Sequence, residues 1–206
     1  EEERVIIQRR MIVQLAEKLI LASASPRRAD LLKKAGLPFE VRVSDVEELQ
    51  SECDSARELC EKNAYSKADS VAQKYPGRWV IAADTLVVCE NKVYGKPVDL
   101  TQARQMLETL SGKRHEVITG VALIKKNNGS LSSQKVFSVV TEVSFRNLSS
   151  ADITAYFSKT NPLDKAGAYG IQDYGEMIIE GIKGSLSNVI GLPVEELMEQ
   201  LSKLGS

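Results

Sequence analysis

Apolar and polar positions divide the first half of the chain into short strand-length runs alternating with helical stretches. Leu19-Ile-Leu is a continuous apolar run that leads into the polar turn Ser23-Ala-Ser25-Pro-Arg27-Arg28. The helix that follows starts at Pro26 and stops at Gly36. Leu37 to Val43 alternates like a strand, and a long polar-faced helix is expected from about Ser55 to Lys74, ended by Tyr75-Pro-Gly77. Trp79 to Ala83 reads as a short buried strand with Asp84 and Thr85 directly after it. Leu86 to Cys89 and Lys92 to Tyr94 then form a hairpin around Glu90-Asn91. Leu100 to Leu110 is a helix, with Thr101 as its candidate cap and Ser111-Gly112 as its stop.

The second half changes character. His115 to Ile124 and Ser133 to Phe145 are long β-branched runs on either side of the turn-forming segment Lys125 to Ser130, which predicts a long antiparallel hairpin. Ser149 to Ser158 is a helix opening with Ser-Ser-Ala-Asp, and Lys159 to Gly175 is irregular and rich in glycine. Met177 to Ile182 is a strand, Gly184 to Asn188 a polar loop, and Pro193 to Leu204 the final helix. Residues 1–17 read as an N-terminal extension, with Ile7, Met11 and Leu15 at helical spacing, and 18–204 as a single domain with no repeat or long linker. Parallel-type βα units followed by long antiparallel strands predict an α/β fold around one mixed sheet. Two lobes would flank a central cleft, with polar residues from strand ends and βα turns facing it.

Composition alters this picture little. With 43% hydrophobic and 27% charged residues and a net charge of −1, the chain reads as an ordinary globular domain without a global field toward nucleic acid or an anionic membrane. Any anion binding must therefore be local. No apolar run reaches the roughly 18 residues of a membrane span, and the first residues are glutamates instead of a basic signal, so the chain reads as cytoplasmic. Cys53, Cys60 and Cys89 lack C-x-x-C spacing, and His115 is the one histidine, which disfavours a zinc site or a disulfide framework. His115 has no evident Ser or Cys partner and reads as structural.

Candidate chemistry collects at a few places. The Ser23 to Arg28 turn offers hydroxyls, helix N-terminal N–H groups and guanidinium forks suited to a polyphosphate; the alternative is a capped helix with solvated arginines. Asp84 is a carboxylate with no packing reason to follow an apolar strand, which suits a metal ligand or general base as well as a turn cap. Glu47 and Glu48 add loop carboxylates. Lys67 and Lys96 are unremarkable singly; with Arg27, Arg28, Glu48 and Asp84 they form a set suited to a nucleoside triphosphate, a divalent metal and an activated water. Gln172 can read a base edge, since its amide both donates and accepts.

Taken in order, these motifs resemble the Maf family of nucleoside triphosphate pyrophosphatases. The pieces are Leu-Ala-Ser-Ala-Ser-Pro-Arg-Arg28, Glu47-Glu48, Lys67-Ala68, Ala83-Asp84-Thr85, Lys96-Pro97, Leu110-Ser-Gly, Asp164-Lys-Ala-Gly-Ala-Tyr-Gly-Ile-Gln172 and Val189-Ile-Gly-Leu-Pro193. The resemblance implies an elongated mixed sheet like that of inosine triphosphate pyrophosphatase. It also implies cleavage between the α and β phosphates with a divalent cation, magnesium or manganese, and Glu48 and Asp84 as metal ligands. By position, Ser23, Arg28, Glu48, Lys67, Asp84 and Lys96 match the catalytic and phosphate-handling set, with Asp84 as proton acceptor, and Ser25 of the same turn is a further candidate for binding substrate. Arg27, Thr85 and Gln172 match positions tied to base selectivity. Arg27-Arg28, Gly-Ile-Gln172 and Ser-Asn-Val-Ile-Gly-Leu-Pro193 look like the branch acting on dTTP and UTP, unlike the one preferring 7-methyl-GTP. Ala83, Gly95 and Asp173 depart from the family pattern, and Asp173 adds a charge beside Gln172. The competing expectation is a non-catalytic nucleotide-binding regulator of septum formation. A homodimer is a family-level expectation.

Overall fold

The computed structural model describes residues 19–49 and 55–204, so the helical pattern in the N-terminal extension and Cys53 lie outside it. A seven-stranded mixed sheet runs through the molecule in the order Glu40–Val41 (β2), Leu19–Leu21 (β1), Trp79–Cys89 (β3), Arg114–Asn127 (β5), Ser130–Phe145 (β6) and Ile179–Lys183 (β7), with Lys92–Tyr94 (β4) attached to β3. Strand β1 (Leu19–Leu21) lies parallel to β2 (Glu40–Val41) and to β3 (Trp79–Cys89), and helix α1 (Pro26–Lys34) connects β1 to β2. Helix α2 (Ala56–Lys74) precedes β3, β4 (Lys92–Tyr94) folds back on its end, and α3 (Leu100–Leu110) follows. The long strands β5 (Arg114–Asn127) and β6 (Ser130–Phe145) pair antiparallel, as their β-branched runs require. Helix α4 (Ser150–Phe157), strand β7 (Ile179–Lys183) and helices α5 (Leu186–Ile190) and α6 (Val194–Leu204) complete the chain.

Alternation along β3 assigns the layers. Trp79, Ile81 and Ala83 pack with Leu31 and Leu32 of α1 and Leu197 and Leu201 of α6. Farther along the same face, Val87 and Cys89 pack with Leu107 of α3 and Ile153 and Tyr156 of α4. These two clusters lie in succession along one face of the sheet. On the opposite face, Val80 and Ala82 meet Ala64, Ala68 and Ala72 of α2. Small residues let that helix approach closely. At Gly120 of β5 a Cβ would lie 2.5 Å from the carbonyl carbon of Cys60, so no side chain fits there without moving α2.

The sheet has a gap that places the cleft. Strand β5 pairs with β3 from Trp79 to Val88, whereas on the other edge β1 reaches only Ile81 and β4 begins at Val87. Between them, residues 82–86 of β3 have no strand partner on that edge among the described residues. This is the position at which an open sheet admits a ligand.

Several sequence expectations shift. The apolar run at Trp79 does not end at Ala83; the strand continues to Cys89, so Asp84 and Thr85 lie mid-strand. Of Leu37 to Val43 only Glu40–Val41 pairs, because β1 offers three residues to pair with. The cap of α3 is Asp99, whose side chain accepts from Gln102 N, and not Thr101, which is already helical. Ser185 caps a short helix inside the stretch expected as a loop, and Met177 belongs to a 3-10 turn before β7. Cys60 and Cys89 are free and buried, and Ser149 with Asp152 forms the expected capping box.

His115 is structural, as its isolation in sequence indicated. It is 3% exposed, its Nε2 lies 2.7 Å from the Tyr169 hydroxyl, and its ring meets Phe145 and Tyr169 edge-on. Burial lowers its pKa from 6.5 to about 4. The unfolded chain therefore binds this proton at a higher pH than the folded one, so stability falls as pH drops through that window, by about 3 kcal/mol in full. Urea titrations near neutrality and at about pH 4.5 are expected to show this loss, and His115→Asn is expected to remove this part of the pH dependence.

Candidate active site

Successive residues of a strand point to opposite faces, so Asp84 and Thr85 address different partners across the gap. Asp84 turns toward α2, where Asn63 and Lys67 stand one turn apart on one face. Its Oδ2 accepts from Asn63 Nδ2 at 3.0 Å and its Oδ1 from Lys67 Nζ at 2.9 Å. Asn63 also fastens the acidic loop to the helix: its Oδ1 accepts from Leu49 N at 2.8 Å and its Nδ2 donates to Leu49 O at 3.2 Å. That attachment brings Glu48 Oε1 to 2.6 Å from Lys67 Nζ, and Lys96 Nζ lies 3.7 Å from the same oxygen. Side-chain exposure is 7% for Asp84 and 12% for Lys67. Partial burial pushes the Glu48 carboxyl up, but Lys67 and Lys96 outweigh it and hold its pKa below the usual value.

Thr85 faces the other side, toward Arg28. The Arg28 guanidinium donates to Thr85 Oγ1 at 3.1 Å, Ser23 Oγ at 3.2 Å and Gly191 O at 2.8 Å. All three acceptors are neutral. Burial lowers the Arg28 pKa against the raising influence of Asp84 and Glu48, so this is a partly desolvated cation without a contact carboxylate, whose cost an arriving anion would offset. Thr119, opposite Thr85 on β5, donates to the carbonyl of Asn188 at 3.1 Å, so it accepts from Thr85 at 3.0 Å. The Thr85 proton is thus committed to Thr119 while its oxygen holds Arg28. Ser25 is the N-cap of α1 but makes no side-chain capping bond, and no acid occupies that first turn. Arg27 reaches across the cleft to Asp164, with Nη1 2.7 Å from Oδ2.

Ser23, Ser25, Arg27, Arg28, Glu48, Lys67, Asp84, Thr85, Lys96 and Gln172 all line one cavity of about 420 Å³ at the gap in the sheet. Glu47 does not line it. Sequence reasoning missed Asn63, Thr119, Asp164 and Lys165 as site residues. For Asn63 a signal existed, since it sits four positions before Lys67 on the same helical face. Thr119 is an ordinary strand threonine until its register opposite Thr85 is known.

Among the described residues no group of three His, Cys, Asp or Glu side chains gathers to form a self-sufficient metal site. Glu48 and Asp84 nevertheless both approach a single ammonium, Lys67 Nζ, so two hard oxygen donors already converge on a cation. That donor set fits magnesium or manganese, which take one or two protein carboxylates and complete their shell with water and substrate phosphates.

The sheet is a mixed α/β sheet opened at mid-strand, and hydroxyls, cations and paired carboxylates gather around the opening, a donor set suited to a polyanion. The chain belongs to the family described as Maf-like protein, whose model matches residues 18–204. A relative from Akkermansia muciniphila named dTTP/UTP pyrophosphatase is 46% identical over 91% of this chain and 96% of its own length. One of the same name from Symbiobacterium thermophilum is 43% identical over 92% of this chain and 95% of its own. The solved structure of the Staphylococcus aureus Ham1 protein superposes with a TM-score of 0.53 at 17% identity, covering 90% of this chain and 98% of that one. The expected mixed-sheet fold is thereby borne out.

Proposed function

We propose that this protein hydrolyses the α–β phosphoanhydride of dTTP and UTP, releasing the nucleoside monophosphate and pyrophosphate, and so clears nucleotides from the cytoplasmic pool. The observation that carries the proposal is Asp84: a buried carboxylate placed mid-strand at the sheet gap, oriented by Asn63 and Lys67 and facing the cavity. Hydrolysis of a polyanion needs its charge neutralised and a water oriented and deprotonated. Arg28, Ser23 and the open N-terminus of α1 bind phosphate oxygens, and Lys67 and Lys96 neutralise charge near the scissile bond. Asp84 accepts the proton of the attacking water, the water oxygen bonds to phosphorus, and the bridging P–O pair leaves with pyrophosphate. Glu48 and Asp84 would hold the divalent cation, which supplies further neutralisation of phosphate oxygens when bound.

Arg27 and Gln172 line the same cavity and are the side chains suited to the base. Arginine can only donate, and an amide can donate too, so a carbonyl oxygen on the base edge is favoured over an amine. Uracil and thymine carry such a carbonyl where cytosine carries an amine.

The test is pyrophosphate release with magnesium from dTTP, UTP, CTP, inosine triphosphate and 7-methyl-GTP. The expected result is highest activity on dTTP and UTP, abolished by EDTA and restored by magnesium or manganese. Nucleotide binding without release would instead support the regulator. A preference for 7-methyl-GTP would move the protein to the other branch.

A further inference from the structure

One buried charged group in the cleft wall has no part in that chemistry. Lys165 has a side chain only 6% exposed, yet it lines the cavity. A lysine ammonium has three N–H donors. Two acceptors take N–H donors, Asn161 O at 2.7 Å and Asp164 Oδ1 at 2.7 Å, and Asp173 Oδ2 forms an ion pair with the same ammonium at 3.1 Å. With two carboxylates beside it, the Lys165 charge is already matched within the protein.

Its partners reach the two side chains assigned to the base. Asp164 accepts from Lys165 through Oδ1 and from Arg27 Nη1 through Oδ2, and its carbonyl accepts from Arg27 Nη2 at 3.0 Å. Both terminal nitrogens of Arg27 are thus held by one residue 137 positions away. Asp173 follows Gln172 directly, and its carboxylate is fixed by the same ammonium. The intervening loop lies against the lysine stem: a Cβ on Gly170 would come within 2.8 Å of Lys165 Cε and 3.1 Å of Asp173 Oδ2. The loop carrying Gln172, the loop carrying Asp164 and helix α1 carrying Arg27 therefore meet through Lys165.

We propose that Lys165, through Asp164 and Asp173, is a positioning residue that fixes Arg27 and Gln172 relative to each other and thereby sets discrimination between nucleobases. This rests on the proposed function, in which those two side chains read the base. Glu48, Lys67, Asp84 and Lys96 are not among the partners of Lys165, so its loss acts on recognition more than on the chemical step. The charge at Asp173 becomes part of how this chain holds its base pocket.

The test compares kcat and KM for UTP and CTP in the wild type, Lys165→Met, Lys165→Arg and Asp173→Gly, with thermal denaturation to establish folding. Lys165→Met is expected to raise KM for UTP and narrow the UTP-to-CTP ratio of kcat/KM by about tenfold, with a smaller change in kcat. Asp173→Gly is expected to narrow the ratio in the same direction by about threefold, and Lys165→Arg to restore part of it. A ratio unchanged in folded variants, or an equal loss on both substrates through kcat, overturns the proposal. Should Lys165→Met not fold, Asp173→Gly on the exposed side of the loop decides alone. Should the wild type release no pyrophosphate from any triphosphate, the proposed function fails by itself. The positioning role is then read from the ratio of dissociation constants for UTP and CTP in the same variants, and an unchanged ratio overturns it.

Discussion

Asp84→Asn is expected to lower the turnover of dTTP by about a thousandfold at neutral pH, the scale of a lost general base. Asparagine has the size and shape of aspartate, so the strand and the 3.0 Å contact with Asn63 can survive, while its amide nitrogen, a donor, replaces the oxygen that accepted from Lys67. What disappears is the proton acceptor and one of the two carboxylates on Lys67. Lys67 keeps Glu48 at 2.6 Å, so the ammonium is not left without a counter-charge and the protein is expected to remain folded in thermal denaturation. Since Arg28, Ser23 and Lys96 do not depend on Asp84 for their contacts, nucleotide binding is expected to fall far less than kcat. Near-full turnover by a folded Asp84→Asn protein with bound metal and nucleotide would falsify the assignment of Asp84 as base.

The sequence already pointed to Asp84 but misread its place. An acid after Trp79-Val-Ile-Ala-Ala83 interrupts the apolar run, and periodicity alone ends the strand there. The strand in fact continues because β5 pairs with it through Asp84 and Thr85, and the acid is tolerated because β1 and β4 leave the gap beside it. The same limit applies to β2: the alternation from Leu37 to Val43 is real, but strand length depends on the three residues of β1. Elements fixed by local chemistry were legible, including the Pro26 start of α1, the Ser149 capping box and the turn between β5 and β6. Residues that act through tertiary register were not. Thr119 gains its role only opposite Thr85, and the coupling of Asp164 to Arg27 joins segments far apart in the chain. Lys67 and Lys96 stand out only in company with Arg27, Arg28, Glu48 and Asp84, and which of them touch depends on how the strands and helices pack.

Lys67→Met is expected to cost about as much turnover as loss of the base, roughly a thousandfold, and to move the acid limb of the pH profile upward, because Lys67 helps hold the Glu48 carboxyl below its usual pKa. Methionine preserves the aliphatic bulk while deleting the ammonium that stands 2.6 Å from Glu48 and 2.9 Å from Asp84. Two carboxylates then face each other in a half-buried site without the charge that separated them. In the wild type, Glu48 has a pKa below 4.5, so its contribution to stability is present above that value and is lost as pH falls through the lower folded pKa. In the variant the largest lowering influence on Glu48 is gone while burial still raises its pKa, so the stability that Glu48 contributes above its unfolded pKa shrinks. The gap in melting temperature between wild type and Lys67→Met should therefore widen from about pH 4 to pH 6, and added magnesium should narrow it by supplying the missing positive charge. An unaltered acid limb together with turnover within about threefold of wild type would show that Lys67 neither tunes the carboxylates nor stabilises charge in the reaction.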